Sequence, residues 1–300
     1  MKEPSLSLPQ KLRYGAEAAG FFLLMGLFSI LSLDDASRLG GWIGRNIFSR
    51  LPPNRTARAN LKAAFPEKSD NEIEAILTEM WDNLGRVVGE YPHLGEFSLG
   101  PQARIRTSDR ANALLAFEGA RGVMFLSGHL ANWELMPVTG QLLGFEGATV
   151  VRHPNNPYVA RWIARQRALK GPRDQIGKHS GARKIFAQLR AGKAIYMLVD
   201  QRNDEGIKVP FFGRDALTTP VPAALALKTG ARILFASNRR RKGEARFDIV
   251  IHPGPTFIPT SDEAADTRAL TEQITARIEE MIRAEPGQWL WIHNRWKESG

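Results

Sequence analysis

Three hundred residues, 43% hydrophobic and 24% charged, have an ordinary globular composition, enough for one large domain or two small ones. A net charge of +10 and a pI near 10.1 point to an anionic partner: nucleic acid, a phospholipid surface, a phosphorylated substrate or an acidic carrier protein. The absence of cysteine excludes disulfides, a thiolate nucleophile and cysteine-ligated zinc, and six scattered histidines give no metal cluster.

The first element is 18-AAGFFLLMGLFSILSL-33, an uncharged run behind a basic and polar opening. It reads as an N-terminal hydrophobic membrane helix within a membrane-anchoring segment, residues 1–50, although it is shorter than the ~20 residues that span a bilayer. Partial insertion and in-plane anchoring both fit, and a buried core helix is the alternative. Lys2, Lys11 and Arg13 before the run balance Arg38, Arg45 and Arg50 after it, so orientation is not readable. No small-x-small cleavage site precedes Asp34 and Asp35, which argues against a signal peptide. Helices are expected over 34–50 and 54–64, broken at Leu51-Pro52-Pro53. A longer one runs over 69–92, capped by Ser69 or Asp70, with Ile73, Ile76, Leu77, Met80, Trp81 and Leu84 as its inward stripe.

From about residue 104 short β-prone runs alternate with helical ones. Strands are expected at 122–128, 148–153, 194–200, 232–238 and 246–253, and helices at 132–144, 157–171, 180–192 and 219–230. A last helix at about 262–284 precedes the aromatic tail 288-QWLWIHNRWK-297. This alternation implies an α/β domain over 51–300, with a mainly parallel central sheet flanked by helices.

The chemistry concentrates in 124-MFLSGHLANWELMPVTG-140. In a continuous helix His129 and Glu134 would diverge by about 140° and not touch. With His129 in the turn after a strand and Asn132 as N-cap, Glu134 falls in the first helical turn and reaches back to the imidazole. The helix dipole favours its charge there. Such a carboxylate holds one imidazole tautomer while the other nitrogen takes a proton. No G-x-S-x-G elbow is present, so the nucleophile would be a substrate hydroxyl attacking an activated acyl group. A metal reading is weak, with at most two ligands at this spacing. The bland alternative is a satisfied turn histidine and a capping carboxylate.

The segment resembles the H-x4-D/E motif of glycerolipid-type acyltransferases. The wider chain resembles the lipid A late acyltransferases, the lauroyl and myristoyl transferases acting on Kdo-lipid A. The resemblance covers GHLANWE at 128–134, VRHPNNPY at 151–158, VDQRNDEGIKVPFFGRDALTTPVPAALALKTGA at 199–231 and EPGQWLWIHNRWK at 285–297. It implies a glycerolipid acyltransferase-like fold at the cytoplasmic face of the cell inner membrane. It further implies transfer of a fatty acyl chain from acyl carrier protein, or acyl-CoA, to a hydroxyl of a lipid A precursor, with His129 and Glu134 as the catalytic pair. No metal or bound cofactor is expected, and a monomer is. Asn294 departs from relatives with two adjacent arginines after the tail histidine. Enzymes acylating phosphatidylinositol mannosides share the pattern, so the acceptor stays open.

Among other residues, Arg152 after a strand suits a phosphate or developing oxyanion, against a rim salt bridge. Asp200 and Gln201 end a strand where ligand sites gather in parallel sheets; Asp200 would assist His129, bind the acceptor or merely cap a loop. Arg167 is taken as substrate-binding within a basic surface that also holds Arg161, Arg165, Lys170, Arg183, Lys184 and Arg190, with 239-RRRK-242 as a loop cluster. That charge suits anionic glycolipid, membrane and carrier protein together; no nucleic-acid motif occurs. Val209-Pro210-Phe211-Phe212-Gly213 is a candidate acyl channel. A non-catalytic protein docking anionic lipid through its basic face, and a hydrolase, are the competing readings.

Overall fold

The structure is a computed structural model and describes residues 7–107, 121–177 and 181–296. Lys2, Ser180 at the start of one expected helix and Lys297 at the end of the tail lie outside them. The strands are β1 (Ile105–Arg106), β2 (Val123–Ser127), β3 (Gly147–Val151), β4 (Asp174–Gly177), β5 (Ala194–Leu198), β6 (Ile207–Phe211), β7 (Arg214–Thr218), β8 (Arg232–Arg240) and β9 (Phe247–Pro253). Seven form one sheet in the order β1-β9-β8-β2-β5-β3-β4, while β6 and β7 make a separate antiparallel pair. Every neighbour in the large sheet is parallel except β8 with β9. The expected α/β architecture with a mostly parallel central sheet is therefore present.

The helices are α1 (Leu8–Ile30), α2 (Leu33–Asn46), α3 (Pro53–Ala64), α4 (Asp70–Glu90), α5 (Leu135–Leu142), α6 (Pro157–Arg167), α7 (Ala182–Arg190), α8 (Val221–Thr229) and α9 (Glu263–Ala284). Side chains alternate across each strand, so consecutive residues feed opposite cores. Val123, Phe125 and Tyr196 pack with Met136 and Leu143 at the two ends of α5. Met124, Leu126, Ile195 and Met197 pack against Ile185 and Leu189 of α7, Ala223 of α8 and Ile274 of α9. Phe211 and Phe212 belong to this second core, in ring contact with Trp289, Trp291 and Trp296. The proposed V-P-F-F-G channel is thus a packed hairpin corner.

No described helix is long and apolar enough to cross a membrane. The apolar run is the second half of α1, whose first half carries Lys11, Arg13 and Glu17. One side of α1 is claimed by protein: Met25 and Phe28 are buried with Ala36. Phe21 meets the Trp162 ring edge-on at 5.3 Å, and Asn156 Nδ2 donates to the Tyr14 carbonyl at 2.8 Å. The other side leaves Leu8, Leu12, Leu23, Leu27 and Ile30 exposed. At 3.6 residues per turn these five fall within a single stripe of about 100°.

The expected 239–242 loop cluster is only half in a loop, because β8 continues through Arg240 and leaves Arg241 and Lys242 beyond it. Arg239 pairs with Glu285, Arg241 with Asp248, and Arg240 with Glu90 inside the protein.

Helix α4 starts as expected, with Ser69 capping Glu72 N. Its later turns cross α2 at backbone contact. A Cβ added to Gly85 or Gly89 would overlap the carbonyl of Gly40 or Ala36, and one added to Gly40 or Gly44 would overlap that of Gly85 or Trp81. The helices cannot separate to admit it without losing the buried contacts of Ser37 and Glu90, so Gly85→Ala should cost about 1–3 kcal/mol of stability. Urea denaturation checks this; a variant as stable as the parent would refute the close approach.

Candidate active site

Strand β5 ends at the mouth of the sheet, and the first polar side chain beyond it, Asp200, is 3% exposed. Its Oδ2 accepts from the His129 backbone N–H at 2.8 Å and from Trp289 Nε1 at 2.7 Å, and its Oδ1 lies 2.8 Å from His129 Nδ1. Burial opposes the charge, but the imidazole, the His129 backbone N–H and the Trp289 indole outweigh it and hold the carboxyl down at about 2. An ionised carboxylate only accepts, so Nδ1 carries the hydrogen, and in the neutral imidazole the lone pair is then on Nε2. The Gln201 amide nitrogen lies 3.4 Å from Nε2, and the Trp133 ring packs beside the imidazole.

Glu134 is elsewhere. Its carboxylate receives the fork of Arg167, with Nε 2.7 Å from Oε2 and Nη2 2.6 Å from Oε1, and Tyr91 donates its hydroxyl to the same Oε1. Burial again works against the charge, while Arg167 and the Tyr91 hydroxyl lower the carboxyl's pKa below its ordinary value. The Tyr91 phenol is pushed well up, first by burial and then by Glu134. The expected His129–Glu134 hydrogen bond is therefore replaced by two separate pairs, His129–Asp200 and Glu134–Arg167. Both of Glu134's oxygens are occupied by a guanidinium fork, the strongest partner a carboxylate can find. Tyr91 at the end of α4 and Trp289 in the tail were not singled out in the sequence; only the aromatic density of the tail hints at the second.

The turn between β2 and α5 differs from the expected cap for a backbone reason. Ala131 adopts φ 49, a left-handed conformation that costs a non-glycine residue ~1–3 kcal/mol and persists only when its surroundings impose it. The tail imposes it: Ala131 N donates to Gln288 O, and Leu290 N to His129 O. Asn83 Nδ2 adds a bond to Ala131 O at 3.0 Å. Helix α5 consequently begins only at Leu135, with Glu134 in the cap position. Asn132 turns its Oδ1 to Glu134 N at 3.2 Å and its Nδ2 to Glu90 at 2.9 Å. Glu90, with no exposure, also accepts from Ser37 and from the Arg240 guanidinium, whose Nε bonds Asn83.

His129 and Glu134 line one cavity of about 660 Å³, together with Arg152, Arg167 and Gln201. Arg152 is exposed at the rim and makes no ion pair among the described residues. Arg167 leaves the expected surface patch, whereas Arg161, Arg165, Arg183, Lys184 and Arg190 are exposed. Asn294 is exposed and Arg295 buried; Arg295 donates to Leu217 O and Thr218 Oγ1, and desolvation lowers its pKa to about 10. Among the described residues no cluster of three or more His, Asp or Glu is placed to hold a metal.

The family profile described as "Bacterial lipid A biosynthesis acyltransferase" matches residues 5–298. The chain belongs to that family. This acyltransferase is 28% identical over 251 residues to the lipid A biosynthesis palmitoleoyltransferase of Escherichia coli K12, covering 80% of the chain and 78% of that relative. It is 24% identical over 252 residues to the lipid A biosynthesis lauroyltransferase of the same organism, covering 79% and 77%. It is 25% identical over 251 residues to a lipid A biosynthesis acyltransferase of Haemophilus influenzae, covering 80% and 76%.

The depressed Asp200 carboxyl has a thermodynamic signature in the acyltransferase. A carboxyl whose folded pKa lies below its unfolded value, here 3.8, stabilises the fold above that value and loses the contribution as pH falls through the folded one. The stability difference between wild type and Asp200→Asn should therefore narrow between about pH 4 and 2. Denaturant midpoints at stepped pH test it, and a difference that stays flat across this window would contradict the pairing.

Proposed function

We propose that this enzyme transfers a fatty acyl chain from an acyl carrier protein thioester to a hydroxyl of a lipid A precursor at the cytoplasmic face of the inner membrane. The observation that carries the mechanism is His129, a cavity-lining residue, with its Nδ1 seated on the buried Asp200 carboxylate and its Nε2 beside Gln201, which lines the same cavity. His129 Nε2 takes the acceptor hydroxyl's proton as its oxygen attacks the thioester carbon. A C–O bond forms, the C–S bond breaks, and the proton passes to the departing thiolate. Asp200 fixes the tautomer and stabilises the transient imidazolium.

Glu134 has a different part from the one its spacing suggested. It holds Arg167 in place, and the Arg167 guanidinium shares the cavity wall with Arg152. Two cationic groups at that mouth suit the phosphates of a lipid A precursor or the oxygen that gains charge during attack. The exposed arginines of α6 and α7 offer an acidic carrier protein a complementary face.

Residence at the membrane is supported by the exposed stripe of α1; Trp42, Ile47 and Leu51 are exposed as well. A monomer with so many large apolar side chains on one side needs something to cover them. The stripe lying in the headgroup plane accounts for it without a spanning helix. The pair Leu23→Asp and Ile30→Asp should abolish most co-sedimentation with anionic lipid vesicles while leaving the melting temperature within a few degrees. Unchanged vesicle binding would remove α1 as the contact.

The activity test incubates purified protein with acyl carrier protein thioester and a lipid A precursor and reads the acceptor mass. His129→Ala should lose transfer by ~10² or more, and Asp200→Asn by a comparable factor. Glu134→Gln should weaken acceptor binding more than it alters the pH profile, because it loosens Arg167 and leaves the imidazole's partner intact. Near-parental turnover in His129→Ala and Asp200→Asn would overturn the mechanism. Free fatty acid with no acceptor product would make the enzyme a hydrolase.

A further inference from the structure

Helix α6 carries arginines to two different cavities. Arg167 lines the catalytic one, while Arg161 and Arg165 line a second of about 510 Å³. At 100° per residue Arg161 and Arg165 lie within about 40° of each other, whereas Arg165 and Arg167 are about 160° apart round the helix. The helix body, about 10–12 Å across with its side chains, therefore separates the two spaces. His153, in the segment between β3 and α6, lines both of them. They meet there, beyond the C-terminal end of β3.

The second cavity is a groove down the edge of the sheet. Strand β4 is the outermost strand on that side, beside β3, and Arg173, Asp174 and Gln175 at its start line the groove. Asp174 stands level with Ala148, three residues or about 10 Å below the Val151↔Gly177 rung. Helix α6 connects two parallel strands and so runs against them, dropping about 10 Å between Arg161 and Ala168. Gln175 Nε2 donates to Ala164 O at 2.8 Å and pins strand to helix. The groove thus starts beside His153, where the catalytic cavity opens, and ends about 10 Å lower at Arg173.

Its lining is cationic and has almost no apolar wall. Arg161, Arg165 and Arg173 are exposed, and neither Arg165 nor Arg173 forms an ion pair among the described residues. The carboxylate that shares the lining, Asp174, accepts from Gln188 Nε2 at 3.3 Å. The apolar lining is Ala164 and Ala168, too little to shelter a lipid tail. Guanidinium groups along a slim, wet groove suit a phosphate ester whose remainder is narrow and polar.

We propose that this groove binds the phosphodiester of the acyl donor: the carrier protein's pantetheine arm lies along it, phosphate against Arg165 and Arg173, and turns past His153 to bring the thioester to His129. The proposal rests on the acyl-transfer reading above. The arm has about thirteen bonds between phosphorus and sulfur and is roughly 16 Å long when extended. That is enough to climb the groove and enter the catalytic cavity. Its hydroxyl and amides stay hydrogen-bonded to polar lining and water there, whereas burial in an apolar channel would strand them. Donor phosphate on one face of α6 leaves Arg152 and Arg167, in the catalytic cavity, to the acceptor.

The test compares two small donors that differ only in the phosphate, the lauroyl thioesters of 4′-phosphopantetheine and of pantetheine, so that no carrier-protein surface takes part. With a lipid A precursor as acceptor, wild-type enzyme should favour the phosphorylated donor in kcat/KM by about tenfold or more. The double variant Arg165→Gln, Arg173→Gln should bring that ratio close to one, chiefly through KM, with thermal melting as the check on folding. If the pair does not fold, Arg165→Gln alone should still lower the ratio. A wild-type ratio near one, or a ratio that the folded variants keep, would overturn the proposal. Variants that keep the ratio but lose binding to anionic lipid vesicles would assign the arginines to headgroups instead. Wild-type enzyme that consumed no thioester, carrier-borne or free, would defeat the acyl-transfer reading, whereas one that transferred acyl groups without regard to the phosphate would defeat only the groove.

Discussion

The Asp200 carboxylate is the point on which the site depends. It is nearly sealed from water and accepts from a backbone N–H, an imidazole and an indole. These donors come from the turn after β2 and from a tail some 160 positions further along the chain. A buried charge survives only when it is this fully satisfied. The same requirement that keeps it ionised draws three distant segments together. Gly128 helps by presenting no side chain where a Cβ would press on the Asp200 carboxylate at 3.3 Å.

A second buried carboxylate extends the arrangement into the helical part. Glu90 on α4 joins Ser37 of α2, Asn132 of the catalytic turn and Arg240 at the end of β8. Removing one partner of such a pair typically costs about 3–5 kcal/mol, since the other is left charged and dry. The strained Ala131 is supported through Asn83 from the same helix. The N-terminal helices therefore shape the turn that carries His129 as well as presenting an apolar face outward.

Much of this was legible in the sequence, and the gaps have physical causes. The β2, β3, β5, β8 and β9 runs are dense in branched and aromatic residues, so their strands are readable. β4, Asp-Gln-Ile-Gly, carries no such pattern and exists because β3 offers it an edge. β6 contains Pro210, which argues against a central strand; it sits in a two-stranded hairpin where that objection does not apply. The motif located His129 and Glu134 but not their partners, because a spacing of five says nothing of Arg167, Tyr91 or Asp200 waiting in other elements. Likewise the arginines at 239–241 look like a solvated cluster until the end of β8 and the residue after it are seen to set them against three separate carboxylates.

The crossing of α2 and α4 has a consequence of its own. Where main chain touches main chain, the gap between two rods is set by atoms no mutation can shave away, so that spacing is the least adjustable dimension in the molecule. Drift elsewhere on either rod can be absorbed by repacking. At Gly40, Gly44, Gly85 and Gly89 it cannot, and descendants of this sequence are expected to vary freely around those four places while keeping them bare.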